Sequence, residues 1–162
     1  MLDVRRLRVL REVAAGTARP ALTFWQRITT SSRPSARTRN AVVVGLPRAG
    51  AAERVTEVAG DVAAALDAEL QVVAAQRFML DDATELEARL SAAEESLRSR
   101  GLTVATHLRR GDLAASLIAE AVACGARLIV VDGSEPHASA PLVGSTWDHV
   151  THHAPCAVLV AR

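Results

Sequence analysis

The sequence predicts a doubly wound α/β domain over residues 41–162, that is, a parallel sheet covered by helices on both faces. Strand-like and helix-like segments alternate along this part of the chain, and most of the strand-like segments are continuous apolar runs. Such runs are typical of parallel strands that are buried on both sides. The longest of them is strand-sized, far short of the roughly 20 residues that a membrane-spanning helix requires.

The predicted strands are short and rich in Val, Leu, Ile and Ala. They cover residues 41–45, 70–75, 102–107, 128–132 and 157–161. Helical spacing of apolar residues predicts helices over 51–67, from Asp82 to Gly101, from Asp112 to near Gly125, and through Trp147 and Val150. Asp82 with Glu85 three residues later is a capping-box pattern, Asp112 is a helix N-cap candidate, and Gly101 is a typical helix terminator.

Residues 1–40 differ from the rest in charge. They carry nine Arg against Asp3 and Glu12, a net charge of +7, whereas residues 41–162 have a net charge of −6. Helical patterns over 2–15 and 21–30 are followed by a linker-like stretch up to residue 40. We interpret residues 1–40 as a basic, helical extension that lies on the acidic domain or moves freely. A membrane surface or a protein partner is the alternative. An organelle transit peptide has a similar composition but does not suit a bacterial protein.

Composition argues against a nucleic-acid-binding protein and against a disulfide-stabilised protein. All basic residues other than His are Arg, which together with the Ala richness indicates a GC-rich coding bias rather than phosphate or nucleic-acid binding. Two cysteines, Cys124 and Cys156, do not make a disulfide framework, so a reducing, cytoplasmic location is expected.

The loop between the last two predicted strands is a candidate anion site. It runs from Asp132 and Gly133 to Gly144, Ser145 and Thr146, where a short helix begins. Backbone N–H groups and the helix dipole favour anions at such a position. In doubly wound sheets, ligands bind beyond the carboxyl ends of the strands, which adds the loop from Gly45 through Pro47 to the site.

Residues 41–162 resemble the universal stress protein family. The resemblance rests on AVVVG at 41–45, on RGDLAASLIAEAVACGARLIVV at 110–131, and on VGSTWDHVTHHAPCAVLVAR at 143–162. It implies a five-stranded sheet in the order 3-2-1-4-5, related to adenine-nucleotide-binding α/β proteins. It also implies a homodimer formed through the last strand and a role in the stress response.

The ATP motif of that family is degenerate in this chain. Gly144 and Ser145 match its distal end, but Asp132 stands where the first glycine is expected and Ser134, Glu135 or Pro136 where the second is. Pro47 replaces an Asp that contacts adenosine, and Pro has neither a side-chain acceptor nor an N–H. Acidic residues at a phosphate site repel the ligand, although Arg48 and Arg109 are candidates to offset that charge. Weak or absent ATP binding is therefore expected, against the alternative of a true ATP-binding protein that uses the Gly144–Ser145 loop.

No catalytic residue or metal site is predicted. His149 and His153 have the spacing of a metal pair on one helical face, but a site needs three or four converging ligands. Ser145 is better explained as a helix N-cap than as a nucleophile. The two cysteines are interpreted as small buried apolar residues, and a redox role has no support. The sequence thus predicts a regulatory domain that acts through partners or dimerisation.

Overall fold

The computed structural model describes residues 40–47, 52–77, 82–134 and 146–162, together with the backbone of residues 8–10. The strands are β1 (Arg8–Leu10), β2 (Ala41–Gly45), β3 (Glu69–Gln76), β4 (Val104–Arg110), β5 (Leu128–Asp132) and β6 (Ala157–Ala161). The helices are α1 (Ala52–Leu66), α2 (Ala83–Ser99), α3 (Leu113–Cys124) and α4 (Thr146–His153).

The six strands of the described residues form one sheet in the order β1-β6-β5-β2-β3-β4. The pairs β6–β5, β5–β2, β2–β3 and β3–β4 are parallel. Counted from β2, the five parallel strands have the order 3-2-1-4-5, which confirms the predicted fold class. The strand order reverses beside β2, so the carboxyl ends of β2 and β5 meet at the switch point where ligands bind in such sheets.

Helices cover both faces of the parallel sheet, and each face has its own apolar core. Val42 and Val44 of β2 point to the core under α1 and α2, whereas Val43 points to the core under α3 and α4. All three side chains are completely buried. A strand buried on both faces needs apolar residues at consecutive positions, and this requirement explains the unbroken run AVVVG.

The predicted helix starts at Asp82 and Asp112 are confirmed. The Asp82 carboxylate accepts from the Thr84 N–H at 2.8 Å, and the Asp112 carboxylate accepts from the Ala115 N–H at 2.8 Å. At the end of α2, the N–H groups of Gly101 and Leu102 bond back to Arg98 and Leu97. Leu102 is therefore still part of the helix end, and β4 begins at Val104 rather than at the predicted residue 102.

The predicted helix over residues 2–15 is wrong at Arg8–Leu10. These residues form β1, which pairs antiparallel with β6 so that Val9 lies opposite Leu159. The physical reason is that the free edge of β6 offers backbone hydrogen bonds, and such pairing overrides a weak local helical pattern. The rest of that helix, the helix predicted over 21–30 and the linker to residue 39 lie outside the described residues.

None of the helices in the described part of the chain is both long and apolar enough to span a membrane.

Candidate functional site

The carboxyl ends of β2 and β5 form the floor of a shallow pocket. These strands are neighbours, with Val44 opposite Val130, so the residues that follow each of them are brought together. The N-terminal part of α3 and the start of α4 form its sides. The pocket is lined by Gly45, Pro47, Leu113, Leu117, Val131, Asp132 and Thr146.

Leu117 of α3 is packed tightly against the end of β2. A Cβ atom placed on Gly45 would lie 2.9 Å from Leu117 Cδ1, closer than carbon atoms in contact can approach. Glycine at position 45 is thus explained by close packing of a helix on a strand. The Leu117 side chain is completely buried and gives this part of the pocket an apolar wall.

Asp132, at the end of β5, is held by two other side chains. Arg54 Nη2 of α1 donates to Asp132 Oδ1 at 2.9 Å. The Ser134 hydroxyl lies 2.8 Å from Oδ1 and 2.7 Å from Oδ2. The Asp132 side chain is 8% exposed. We call Asp132, Arg54 and Ser134 the Asp132 cluster; it places a carboxylate, already paired with a cation, in the lining of the pocket.

The first two backbone N–H groups after β5 both donate within the protein. The Gly133 N–H donates to the Ala161 carbonyl of β6 at 2.8 Å, and the Ser134 N–H donates to Asp132 Oδ1 at 3.0 Å. A Cβ atom on Gly133 would lie 2.4 Å from Val160 Cγ1, so close packing on β6 requires glycine there. Neither of these two N–H groups is free to bind an anion, unlike the converging donors of a phosphate-binding loop.

Leu46 and Pro47, the two residues directly after β2, are held by hydrogen bonds to their backbone groups. The Leu46 N–H donates to the Val73 carbonyl at 2.8 Å, and the Arg89 guanidinium of α2 donates to the Pro47 carbonyl. Pro47 faces the pocket without any side-chain hydrogen-bonding group. This side of the pocket therefore presents apolar surface where a polar ligand would need an acceptor.

The structure brings together some of the residues that the sequence predicts for a nucleotide site. Gly45, Pro47 and Thr146 line the pocket, and Gly133 follows the pocket residue Asp132. Gly144, Ser145 and Arg48 lie outside the described residues. Arg109 lies elsewhere, on β4, and does not offset the charge of Asp132.

Sequence reasoning missed Arg54, the cation that does pair with Asp132. Arg54 lies in the first turn of α1, where the helix dipole disfavours a positive charge. Arg54 follows β2, and the neighbouring strand β5 ends in Asp132. An arginine at an unfavourable helix position, close to the end of a strand beside an aspartate, was the available signal of an ion pair.

A second polar cluster is half-buried between β3, β4 and α3, away from the pocket. Arg109 Nη2 lies 2.6 Å from Glu120 Oε2, and His107 Nε2 lies 2.8 Å from Gln71 Oε1 and 3.6 Å from Glu120 Oε1. An amide oxygen only accepts, so His107 donates to Gln71 from Nε2. Burial lowers the pKa of His107, while Glu120 opposes that shift by favouring the charged ring. His107 is therefore neutral at pH 7, and Arg109 is the counterion of Glu120.

Histidines and cysteines of the described residues form no site with three or more converging ligands. The rings of His149 and His153 are 4.6 Å apart on α4, while His152 Nδ1 is 2.8 Å from the Asp148 carbonyl oxygen. Cys124 and Cys156 are unpaired thiols, partly buried against the core under α3 and α4. Burial raises the pKa of the Cys124 thiol and raises that of Cys156 to about 11, so both are protonated at neutral pH.

Comparisons with known proteins agree on one family. The family model described as "Universal stress protein family" matches residues 38–162. No curated protein sequence matches the chain.

Solved structures of universal stress proteins have the same fold. One, described as a universal stress protein in complex with cAMP, is 24% identical, with a TM-score of 0.65 over 76% of this chain and 96% of that one. A second, from Archaeoglobus fulgidus DSM 4304, is 24% identical, with a TM-score of 0.63 over 76% of this chain and 44% of that one. A third, from Archaeoglobus fulgidus in complex with dAMP, is 20% identical, with a TM-score of 0.61 over 76% of this chain and 98% of that one.

Proposed function

Because this chain belongs to the universal stress protein family, we propose that residues 41–162 are a regulatory domain that acts through protein association, with weak or absent ATP binding. Residues 1–40 are a basic extension in this proposal. The family assignment supports a role in the stress response. The geometry of the pocket supports the weak nucleotide binding, and the edge of the sheet supports the association.

The observation that carries the proposal is the Asp132 cluster. A phosphate group placed beside Asp132 would be repelled by its carboxylate, by about 1 kcal/mol at 4 Å in water and about 4 kcal/mol at an effective dielectric of 20. Arg54 offsets this repulsion only in part, because its guanidinium already binds Asp132 at 2.9 Å. The N–H groups of Gly133 and Ser134 add no attraction, since both donate within the protein.

Pro47 supports the same conclusion at the other side of the pocket. It has no side-chain acceptor for a ribose or an adenine amino group, and its carbonyl already accepts from Arg89. With Leu113 and Leu117 beside it, the pocket is apolar where a nucleoside would need polar partners. Binding a nucleoside there would desolvate its polar groups without replacing their hydrogen bonds.

The proposed association is a homodimer formed through the side of β6 that β1 occupies in this structure. β6 contains no charged residue and no proline, the usual devices that protect a strand edge from pairing. A cytoplasmic location belongs to the proposal and is supported by the two free thiols. An acidic protein or a membrane surface remains the proposed alternative partner of the basic extension.

The second candidate function is a true nucleotide sensor. It is favoured by the two fold relatives whose structures were determined with cAMP and with dAMP. In that case the segment from Gly144 to Thr146 would have to supply the phosphate contacts that the N–H groups of Gly133 and Ser134 do not make. Mass spectrometry of small molecules released by heating the purified protein separates the two functions, because a sensor that binds tightly retains nucleotide through purification.

Titration with a fluorescent ATP analogue tests the proposed function directly. We expect the full chain to bind the analogue with a dissociation constant weaker than about 10 µM, a free energy less favourable than about −7 kcal/mol. Unlabelled ATP added in excess distinguishes specific binding from binding of the fluorophore. A dissociation constant of about 10 µM or tighter, reversed by unlabelled ATP, contradicts the proposal and favours the nucleotide sensor.

A further inference from the structure

β1 occupies the sheet edge at which the proposed dimer would form. Its three residues pair antiparallel with β6, with Arg8 opposite Val160, Val9 opposite Leu159 and Leu10 opposite Val158. The other side of β6 pairs with β5. The backbone groups on the outer side of β6 thus face a strand of the same chain.

From this placement we propose that β1 shields the β6 edge, and that the chain dimerises through β6 only when β1 is displaced. The inference rests on the proposed association function and names its regulation. The occupant that replaces β1 is β6 of a second copy, which pairs antiparallel about a two-fold axis. The edge is suited to this because it already accepts an antiparallel strand in β1.

The lengths of the competing strands favour exchange. β1 pairs over three residues, whereas β6 offers five, Ala157–Ala161, to an identical strand. A three-residue strand makes few hydrogen bonds, and ordering its backbone costs entropy that offsets much of their stabilisation. In a two-fold dimer each β6 strand both donates hydrogen bonds to its copy and accepts them from it. The same surface of each subunit therefore forms the whole interface.

The opposite charges of the extension and the domain provide a way to regulate the displacement of β1. Residues 1–40 carry a net charge of +7 and residues 41–162 a net charge of −6, so the extension is attracted to its own domain. Salt screens this attraction, since the Debye length falls from about 10 Å at 0.1 M to about 3 Å at 1 M ionic strength. An acidic partner that binds the extension would have the same effect as salt and would release β6 for pairing.

Sedimentation equilibrium of the full chain and of Val9→Pro tests the proposal. Proline in the middle of β1 removes an N–H and disfavours continuous strand pairing, so the β6 edge should become available. We expect the dimer dissociation constant of Val9→Pro to be at least about tenfold tighter than that of the full chain, or about 1.4 kcal/mol. Ala36→Pro, in the linker-like stretch outside β1, is the matched control and should behave as the unmodified chain.

A truncated chain covering residues 39–162 keeps the test valid if Val9→Pro does not fold. Among the described residues, both apolar cores are made of residues between 42 and 161, and all of these are present in the truncated chain. It should dimerise as Val9→Pro does, and a peptide of residues 1–15 should dissociate the dimer while a scrambled peptide does not. Dissociation by the peptide would show that β1 and the second copy use the same edge.

Two results overturn the inference in different ways. If the full chain, Val9→Pro and the truncated chain all dimerise with the same constant, β1 does not shield the edge, although the proposed association stands. If all three stay monomeric at the highest concentration measured, dimerisation itself is absent, and the proposed association through β6 fails with the inference.

Discussion

Replacing Leu117 by Ala is expected to lower the free energy of unfolding by about 2–5 kcal/mol. Leu117 is completely buried in the core under α3 and α4, and its Cδ1 atom lies against the end of β2 at Gly45. Glycine offers no side chain to fill the space that truncation creates, so the cavity persists. Urea denaturation followed by far-ultraviolet circular dichroism measures the loss.

Val122→Ala is the matched control for Leu117→Ala. Val122 is on the same helix, but 60% of it is exposed, so removing its two methyl groups should change stability by less than about 0.5 kcal/mol. If Leu117→Ala lowers the free energy of unfolding no more than Val122→Ala does, α3 is not packed on β2 as described. The apolar wall of the pocket would then have to be reconsidered.

Arg109→Met is expected to cost about 2–4 kcal/mol of stability, because it leaves the Glu120 carboxylate buried without its counterion. The side chains of Arg109 and Glu120 are 20% and 10% exposed, and their charged groups are 2.6 Å apart. Neutral His107 cannot replace the arginine as a counterion unless it takes up a proton, which burial disfavours. Urea denaturation at pH 7 gives the effect.

Arg110→Met provides the control for the arginine on β4. Arg110 is the next residue and is exposed, so its replacement should change the free energy of unfolding by less than about 0.5 kcal/mol. Equal effects of the two substitutions would contradict the description of Glu120 as a buried charge that depends on Arg109.

Most of the parallel sheet was predictable from sequence because burial on two faces leaves a clear pattern. Ala41–Gly45, Leu128–Asp132 and Ala157–Ala161 have the bounds that their apolar runs predict. β4 starts two residues later and ends three residues later than predicted. Its start is shifted because the backbone hydrogen bonds that close α2 extend to Leu102. The periodicity of apolar residues does not show where the hydrogen bonds that close a helix end.

β1 could not be predicted from its own sequence. Arg8–Leu10 is a strand because β6 presents an unpaired edge, and this edge exists only once the sheet has formed. The helical spacing of leucines in residues 2–15 favours a helix at Arg8–Leu10. Pairing with β6, which is distant in sequence, favours a strand there instead.

The candidate site was predictable in its location but not in its contacts. The position of Asp132 in place of glycine, and that of Pro47, are visible in the sequence. That Arg54 pairs with Asp132 over 78 positions of the chain, and that Arg109 pairs with Glu120 instead, depends on how α1 and α3 lie on opposite faces of the sheet. Sequence patterns rarely fix such long-range pairs of side chains.

The most direct test of the account compares ATP binding by the unmodified chain with that by Asp132→Asn. Asparagine keeps an oxygen that can accept from Arg54 and Ser134 but removes the negative charge. Asp61→Asn is the control, because Asp61 is also an aspartate paired with an arginine, Arg100, and lies on α1 outside the pocket. All three proteins are titrated calorimetrically at one ionic strength.

If the charge of Asp132 opposes phosphate binding, Asp132→Asn should bind ATP at least about fivefold more tightly than the unmodified chain, equivalent to about 1 kcal/mol. Asp61→Asn should bind as the unmodified chain does. The account is contradicted if Asp132→Asn binds no more tightly than the unmodified chain, or if Asp61→Asn gains as much.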